Sequence, residues 1–112
     1  MNITMIDNVG IDTMFDPITA RYFKCTEREF IRHVEVFNHL RAMYNKEEID
    51  LNTWFDIIGL PRITIGECFE WRSFKDIGIL DIRYYEDVRG DLVVGIIVYD
   101  VAPIFMMSKY KN

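Results

Sequence analysis

The sequence predicts an α+β domain in which two helices pack on a small antiparallel sheet of three to four strands. Three observations carry this. Apolar residues recur at helical spacing between Thr26 and Tyr44. The period changes to alternation after Gly78, where Leu80, Ile82 and Tyr84 share one strand face and Asp81 and Arg83 the other. The stretch Leu92 to Val101 is rich in β-branched residues on both faces, as a central strand is. Helices first and strands second is the order of an α+β chain. A length of 112 residues fits a single domain. It divides into an N-terminal arm (1–24), a helical pair (26–60) and a β-rich half (62–107).

The arm holds neither period for long. Asp16-Pro17 biases Asp16 toward an extended backbone, and Met14, Phe15, Ile18, Tyr22 and Phe23 supply its packing residues. Thr26-Glu27-Arg28-Glu29 is a capping box, in which the Thr26 hydroxyl and the Glu29 carboxylate each accept the other's backbone N–H. Phe30, Val34, Phe37, Leu40, Arg41 and Tyr44 follow in one stripe, widened by Ile31 and Met43, so a helix runs from about Glu27 to Tyr44. A polar connector, Asn45 to Asp50, leads to a shorter helix capped by Asp50 or Asn52. Gly59 suits its left-handed C-terminal position, and Pro61 prevents continuation.

Arg62 to Gly66 and Phe69-Glu70-Trp71 read as short extended pieces, followed by a strand from Ile79 to Tyr85. Glu86 to Asp91 reads as a hairpin turn with Gly90 at positive φ. Pro103 ends or edges the next strand, Ile104 to Met107 form a last edge piece, and Ser108 to Asn112 form a frayed basic tail.

Composition excludes several functions. The chain has 18 acidic against 13 basic residues, a balance that opposes general nucleic-acid binding, which needs clustered Lys and Arg. The N-terminus lacks the pattern of a secretory signal. The longest apolar run, Leu92 to Tyr99, is far too short to span a bilayer. A soluble intracellular protein is expected. Cys25 and Cys68 are read as reduced and packed, although spacing leaves a disulfide open.

Sites of chemistry are sparse. His33 and His39 fall on different sides of the predicted helix, so no metal is expected. Neither Ser73 nor Ser108 carries a nucleophile-elbow motif, no glycine-rich phosphate cradle is present, and no cofactor is expected. Glu67, Glu70 and Asp81 are the carboxylates a small hydrolase would use, read first as an ordinary polar face. Trp54, Phe55, Phe69, Trp71, Tyr84, Tyr85 and Tyr99 read as core rather than as a stacking platform. Two acidic clusters remain, Glu47, Glu48 and Asp50 in the connector and Glu86, Asp87 and Asp91 in the hairpin. They are the expected contacts to a basic surface. Phe105, Met106 and Met107 are a candidate docking tail, on the domain's own body or on a second chain.

Several segments resemble those of a known family. Leu51 to Leu60 resembles an LN-x-FY-x-x-LGL segment, Gly66 to Trp71 a GD-x-x-x-W segment, Gly78 to Ile82 a G-x-I-D-I segment and Tyr99 to Pro103 a Y-x-V-x-P segment. Phe15-Asp16-Pro17 and Arg21-Tyr22-Phe23 match an upstream FD…T…YF pattern. From about Phe15 to Phe105 the chain resembles a family of uncharacterised small proteins of phages and gut bacteria. The resemblance implies a phage or mobile-element source, and with it the cytoplasm of a bacterial host cell as the expected location. It also implies longer members anchored in a membrane ahead of this domain, and no anchor is expected here. It transfers no catalytic residue. The expectation is a non-enzymatic protein that binds a macromolecule, in its sharpest form an inhibitor of a host defence nuclease. The alternatives are a phage structural or assembly protein working as a homo-oligomer, and a small hydrolase.

Overall fold

The computed structural model describes residues 10–110, so the start of the expected arm and the end of the expected tail lie outside the described residues. The elements are β1 (Thr13–Asp16), β2 (Arg21–Lys24), α1 (Glu27–Met43), β3 (Ile49–Asp50), α2 (Leu51–Ile58), a 3-10 turn (Gly66–Cys68), β4 (Phe69–Trp71), α3 (Phe74–Ile77), β5 (Ile82–Arg89), β6 (Leu92–Tyr99), β7 (Ile104–Phe105) and α4 (Met107–Tyr110). The class is α+β, as the periodicity predicts. There are two sheets. One has four strands in the order β2-β1-β6-β5, and the other has three in the order β3-β4-β7.

The larger sheet is mixed, not purely antiparallel. The N-terminal segment is not an arm but a hairpin whose β1 strand lies parallel to β6, with Met14 opposite Gly95. The expected packing residues divide accordingly. Met14 and Phe23 are buried, whereas Ile18 and Tyr22 are exposed. The strand signal was hidden because β1 buries polar side chains, Thr13 and Asp16. The burial of Asp16 is made possible by a chain of hydrogen bonds. Trp54 Nε1 donates to the Tyr99 hydroxyl at 3.0 Å, and that hydroxyl donates to Asp16 Oδ1 at 2.7 Å. Asp16 Oδ2 accepts from the Thr19 backbone N–H and hydroxyl, which shapes the β1–β2 turn.

Helix α1 begins in the predicted capping box, with both reciprocal bonds formed. Its buried stripe is narrower than the sequence suggests. Phe30, Phe37 and Arg41 are buried, while Ile31 and Met43 face solvent. Arg41 is held in that position by backbone carbonyls, donating to Gly78 O at 2.6 Å and Arg72 O at 2.9 Å. Asn38 works one turn earlier, accepting the Leu80 N–H and donating to the Leu80 carbonyl. Because Asn38 occupies the Leu80 backbone, Leu80 cannot join a ladder, and β5 starts at Ile82 rather than Ile79.

Helix α2 is capped by Asp50 and closed by Gly59 at φ 85°, as its sequence predicts. Its aromatic residues join those of α1. Phe37 lies 5.2 Å from Trp54 and 5.3 Å from Trp71, and Phe30 lies 5.6 Å from Tyr84. Trp54, Phe55 and Trp71 are fully buried, and each such side chain contributes about 1.5–3 kcal/mol relative to exposure. The Arg62–Gly66 stretch, expected to be extended, forms turns instead. Asn52 captures it by accepting the Ile63 N–H and donating to the Ile63 carbonyl, both at 2.9 Å. The β5–β6 turn is tighter than expected. Glu86 and Asp87 are strand residues, and only Gly90 and Asp91 connect Arg89 to its partner Leu92.

Two measurements check this account. A Cβ at Gly66 would lie 2.2 Å from Asn52 Oδ1, and two hydrogen bonds hold Asn52 in place. Gly66→Ala is therefore expected to lower unfolding free energy by about 1–3 kcal/mol in urea titrations. The second concerns alkali. Burial pushes the Cys25 thiol up to about 11, and the hydrogen bond to Glu27 takes the Tyr84 hydroxyl up to about 12. Burial, with Asp16 beside it, also raises Tyr99. These native values exceed the unfolded ones, about 8.5 for Cys and 10 for Tyr. Their stabilising contribution is thus complete below about pH 8.5 and is lost as pH rises through the folded values. The urea midpoint should fall steadily above that pH, and Tyr99→Phe should flatten the upper part of the fall.

Candidate functional site

The acidic clusters identified in the sequence sit on different sheets. Glu47 and Glu48 are exposed on the approach to β3. Asp50 is engaged within the fold: its Oδ1 accepts from the Thr53 N–H at 2.9 Å and the Thr53 hydroxyl at 2.8 Å. In register it stands opposite Glu70, two acids facing each other across β3 and β4. Lys109 answers both, since it ion-pairs with the buried Glu70, and Asp50 and Glu48 add to the field that raises its pKa. The first cluster is therefore partly neutralised by a lysine that no local sequence pattern connects to it.

The second cluster lies at the far end of the β5–β6 hairpin, away from the Ile82–Tyr99 pair. Glu86 and Asp91 are exposed. Asp87 is half-buried, accepting from the Val88 N–H and pairing with Arg89 at 2.8 Å. Those bonds hold its carboxyl below the usual carboxylate range. Arg89 also lies over the Phe15 ring and donates to the Tyr22 hydroxyl, which clamps the end of β5 across the sheet onto β1 and β2. Between these charges Val88, Leu92 and Val93 are exposed at 65%, 45% and 44%. The end of the hairpin thus exposes Val88 and Val93 on one face and Leu92, beside Arg89, on the other, with the acids alongside.

The three hydrolase candidates keep separate cations. Glu70 pairs with Lys109 and Asp81 with Arg83 at 3.3 Å, while Glu67 is exposed and the nearby Arg62 is held by Asp56 at 2.6 Å. Cys25 and Cys68 are both buried and unbonded. No cluster of His, Cys, Asp and Glu suited to a metal ion occurs among the described residues. None of the described helices is long and apolar enough to cross a membrane.

The candidate docking tail is docked on its own chain. Ile104 and Phe105 pair with Glu70 and Phe69, the Phe69 and Phe105 rings lie 5.2 Å apart, and the Met106 N–H donates to the Cys68 carbonyl. The residues expected as a frayed tail begin a helical turn, α4, within which Lys109 reaches Glu70.

Sequence reasoning missed a groove beside β5, lined by Phe30, Ile31, Val34, Ile82 and Tyr84. The exposed Ile31 that broke the helical stripe marks it.

The model of a family of unknown function, DUF6353, covers residues 2–108. No curated protein and no solved structure matches the chain.

Lys109→Ala removes the cation from a tail that is also held by the β4–β7 pairing, the Phe69–Phe105 ring contact and the Met106 N–H to Cys68 carbonyl bond. Amide exchange at Ile104–Met107 is expected to accelerate at least tenfold. The global unfolding free energy should fall by about 1–3 kcal/mol, because the buried Glu70 carboxylate loses its cation.

Proposed function

The chain belongs to this family of unknown function, and we propose that it acts without catalysis, by binding a macromolecular partner with a basic surface. The observation that carries the proposal is the end of the β5–β6 hairpin. It presents Val88 and Val93 to solvent on one sheet face and Leu92 on the other, with Glu86, Asp87 and Asp91 alongside. An exposed apolar patch with a polar margin is the usual anatomy of a protein-binding surface. The acidic margin would speed encounter with a basic partner and hold its orientation. Glu47 and Glu48 extend the same sign of charge on the other sheet, and the whole chain carries a formal charge of -5. The resemblance to phage proteins directs the search for that partner to proteins of a bacterial host cell, defence nucleases among them.

The test compares the wild-type chain with two charge-reversed forms, Glu86→Lys/Asp91→Lys and Glu47→Lys/Glu48→Lys. The partner captured by the wild-type chain should bind the hairpin variant at least tenfold more weakly at low salt. That gap should narrow as salt rises, since exposed charges are screened. Melting temperature should stay within a few degrees. Capture of the same partner with undiminished affinity by the hairpin variant would remove the assignment.

A further inference from the structure

Strand β5 is an edge of the larger sheet, and no strand among the described residues pairs with its outer side. The two-residue turn makes Arg89 and Leu92 a hydrogen-bonded pair, so the backbone groups of Arg83, Tyr85, Asp87 and Arg89 face β6. Those of Ile82, Tyr84, Glu86 and Val88 point away from the sheet. Among the described residues only the Val88 N–H of this outer row is engaged, by the neighbouring Asp87 carboxylate. Open edges of this length are templates for another strand.

We propose that a second copy of this chain occupies that edge, β5 against β5 antiparallel about a two-fold axis at Tyr85. The pattern of charges selects the register. Outward-pointing residues must pair with outward-pointing residues. With Tyr85 opposite its own copy, Ile82 meets Val88 and Tyr84 meets Glu86 in the hydrogen-bonded pairs. Arg83 then meets Asp87, and Asp81 meets Arg89, each twice. Sliding by one permitted step in one direction sets Arg83 against Arg89 and Glu86 against Glu86. Sliding the other way sets Asp81 against Asp87. Of these three registers, only the one centred on Tyr85 is self-complementary, and opposite charges directly across a pair stabilise it where like charges would oppose it.

The groove beside β5 fits the same arrangement. Val88 lies on the sheet face that carries α1, because it shares that face with Tyr84, which meets Phe30. In the Tyr85-centred register the Val88 of one copy arrives beside Ile82 of the other, at the groove lined by Phe30, Ile31 and Val34. Two side chains exposed in the single chain, Val88 at 65% and Ile31 at 55%, are thereby brought toward cover. The paired copies would form one continuous eight-stranded sheet. This pairing is independent of the basic partner proposed above and stands or falls separately.

Sedimentation velocity over a concentration series tests the association, and charge swaps test the register. The full chain should show a concentration-dependent monomer–dimer equilibrium. Arg83→Asp and Asp87→Arg should each weaken it at least tenfold, and the double swap Arg83→Asp/Asp87→Arg should recover most of the loss. A wild-type chain monomeric up to millimolar concentration overturns the proposal and leaves the edge to a strand of another protein. So does a dimer indifferent to both single swaps, or a double swap no better than the singles. A second measurement does not depend on those variants folding. Tyr85→Cys places two thiols in a non-hydrogen-bonded pair, a separation a disulfide can bridge. Mild oxidation should cross-link it at least tenfold faster than Val88→Cys. Equal rates, or no cross-link, overturn the register.

Discussion

One carboxylate organises this molecule. Asp16 is fully buried, and it is tolerable there because Tyr99 and Thr19 donate to it. A buried polar group left without partners costs far more than its hydrogen bond contributes, so this set of contacts forms together or not at all. The Tyr99 hydroxyl passes the constraint on to Trp54 of α2. Arg21 passes it further, through the Thr19 hydroxyl to the carbonyl of Pro61, with its guanidinium over the Phe55 ring. One network thus ties the β1–β2 hairpin, the central strand and the second helix, and it places the sheet so that β5 is left as the outer strand.

The surface follows from that placement. Because β6 is sandwiched between β1 and β5, the acids of β5 lie along an open margin rather than in a loop. The acids near β3 have a different fate. There the chain folds its own tail back as β7 and α4, and Lys109 meets Glu70 and its acidic neighbours. Two clusters that look alike in sequence therefore differ physically: one lies against a lysine of the folded-back tail, and the other, with Asp87 held by Arg89, borders exposed valines and a leucine.

What the sequence makes legible is what is decided locally. The Thr26–Glu29 capping box, Asp50 as a cap, Gly59 ending α2 and Gly90 turning the hairpin are each read from a few neighbouring residues, and each is present. What it hides is decided at a distance through polar burial. Arg41 and Asp16 sit in the interior, against hydropathy, because partners from remote segments receive them. The β1 strand escaped notice for the same reason. The acids of the candidate surface were visible, but not which were already engaged, because Asp87's Arg89 clamp and the Lys109 link depend on the finished sheets. The groove beside β5 had only a faint sign, an isoleucine on the wrong side of a helical stripe.

The parallel pairing of β1 with β6 has a consequence in time. Met14 has no ladder partner on that side until Gly95, roughly eighty residues later, is made. At synthesis rates of about 5–20 residues per second, the nascent β1–β2 hairpin spends several seconds with its inner margin bare. In that interval Asp16 lacks Tyr99, and a solvated carboxylate on a short strand is a gatekeeper against wrong pairing. The residue that later fastens the finished sheet is thus, earlier in the chain's life, the one that keeps its unfinished edge soluble.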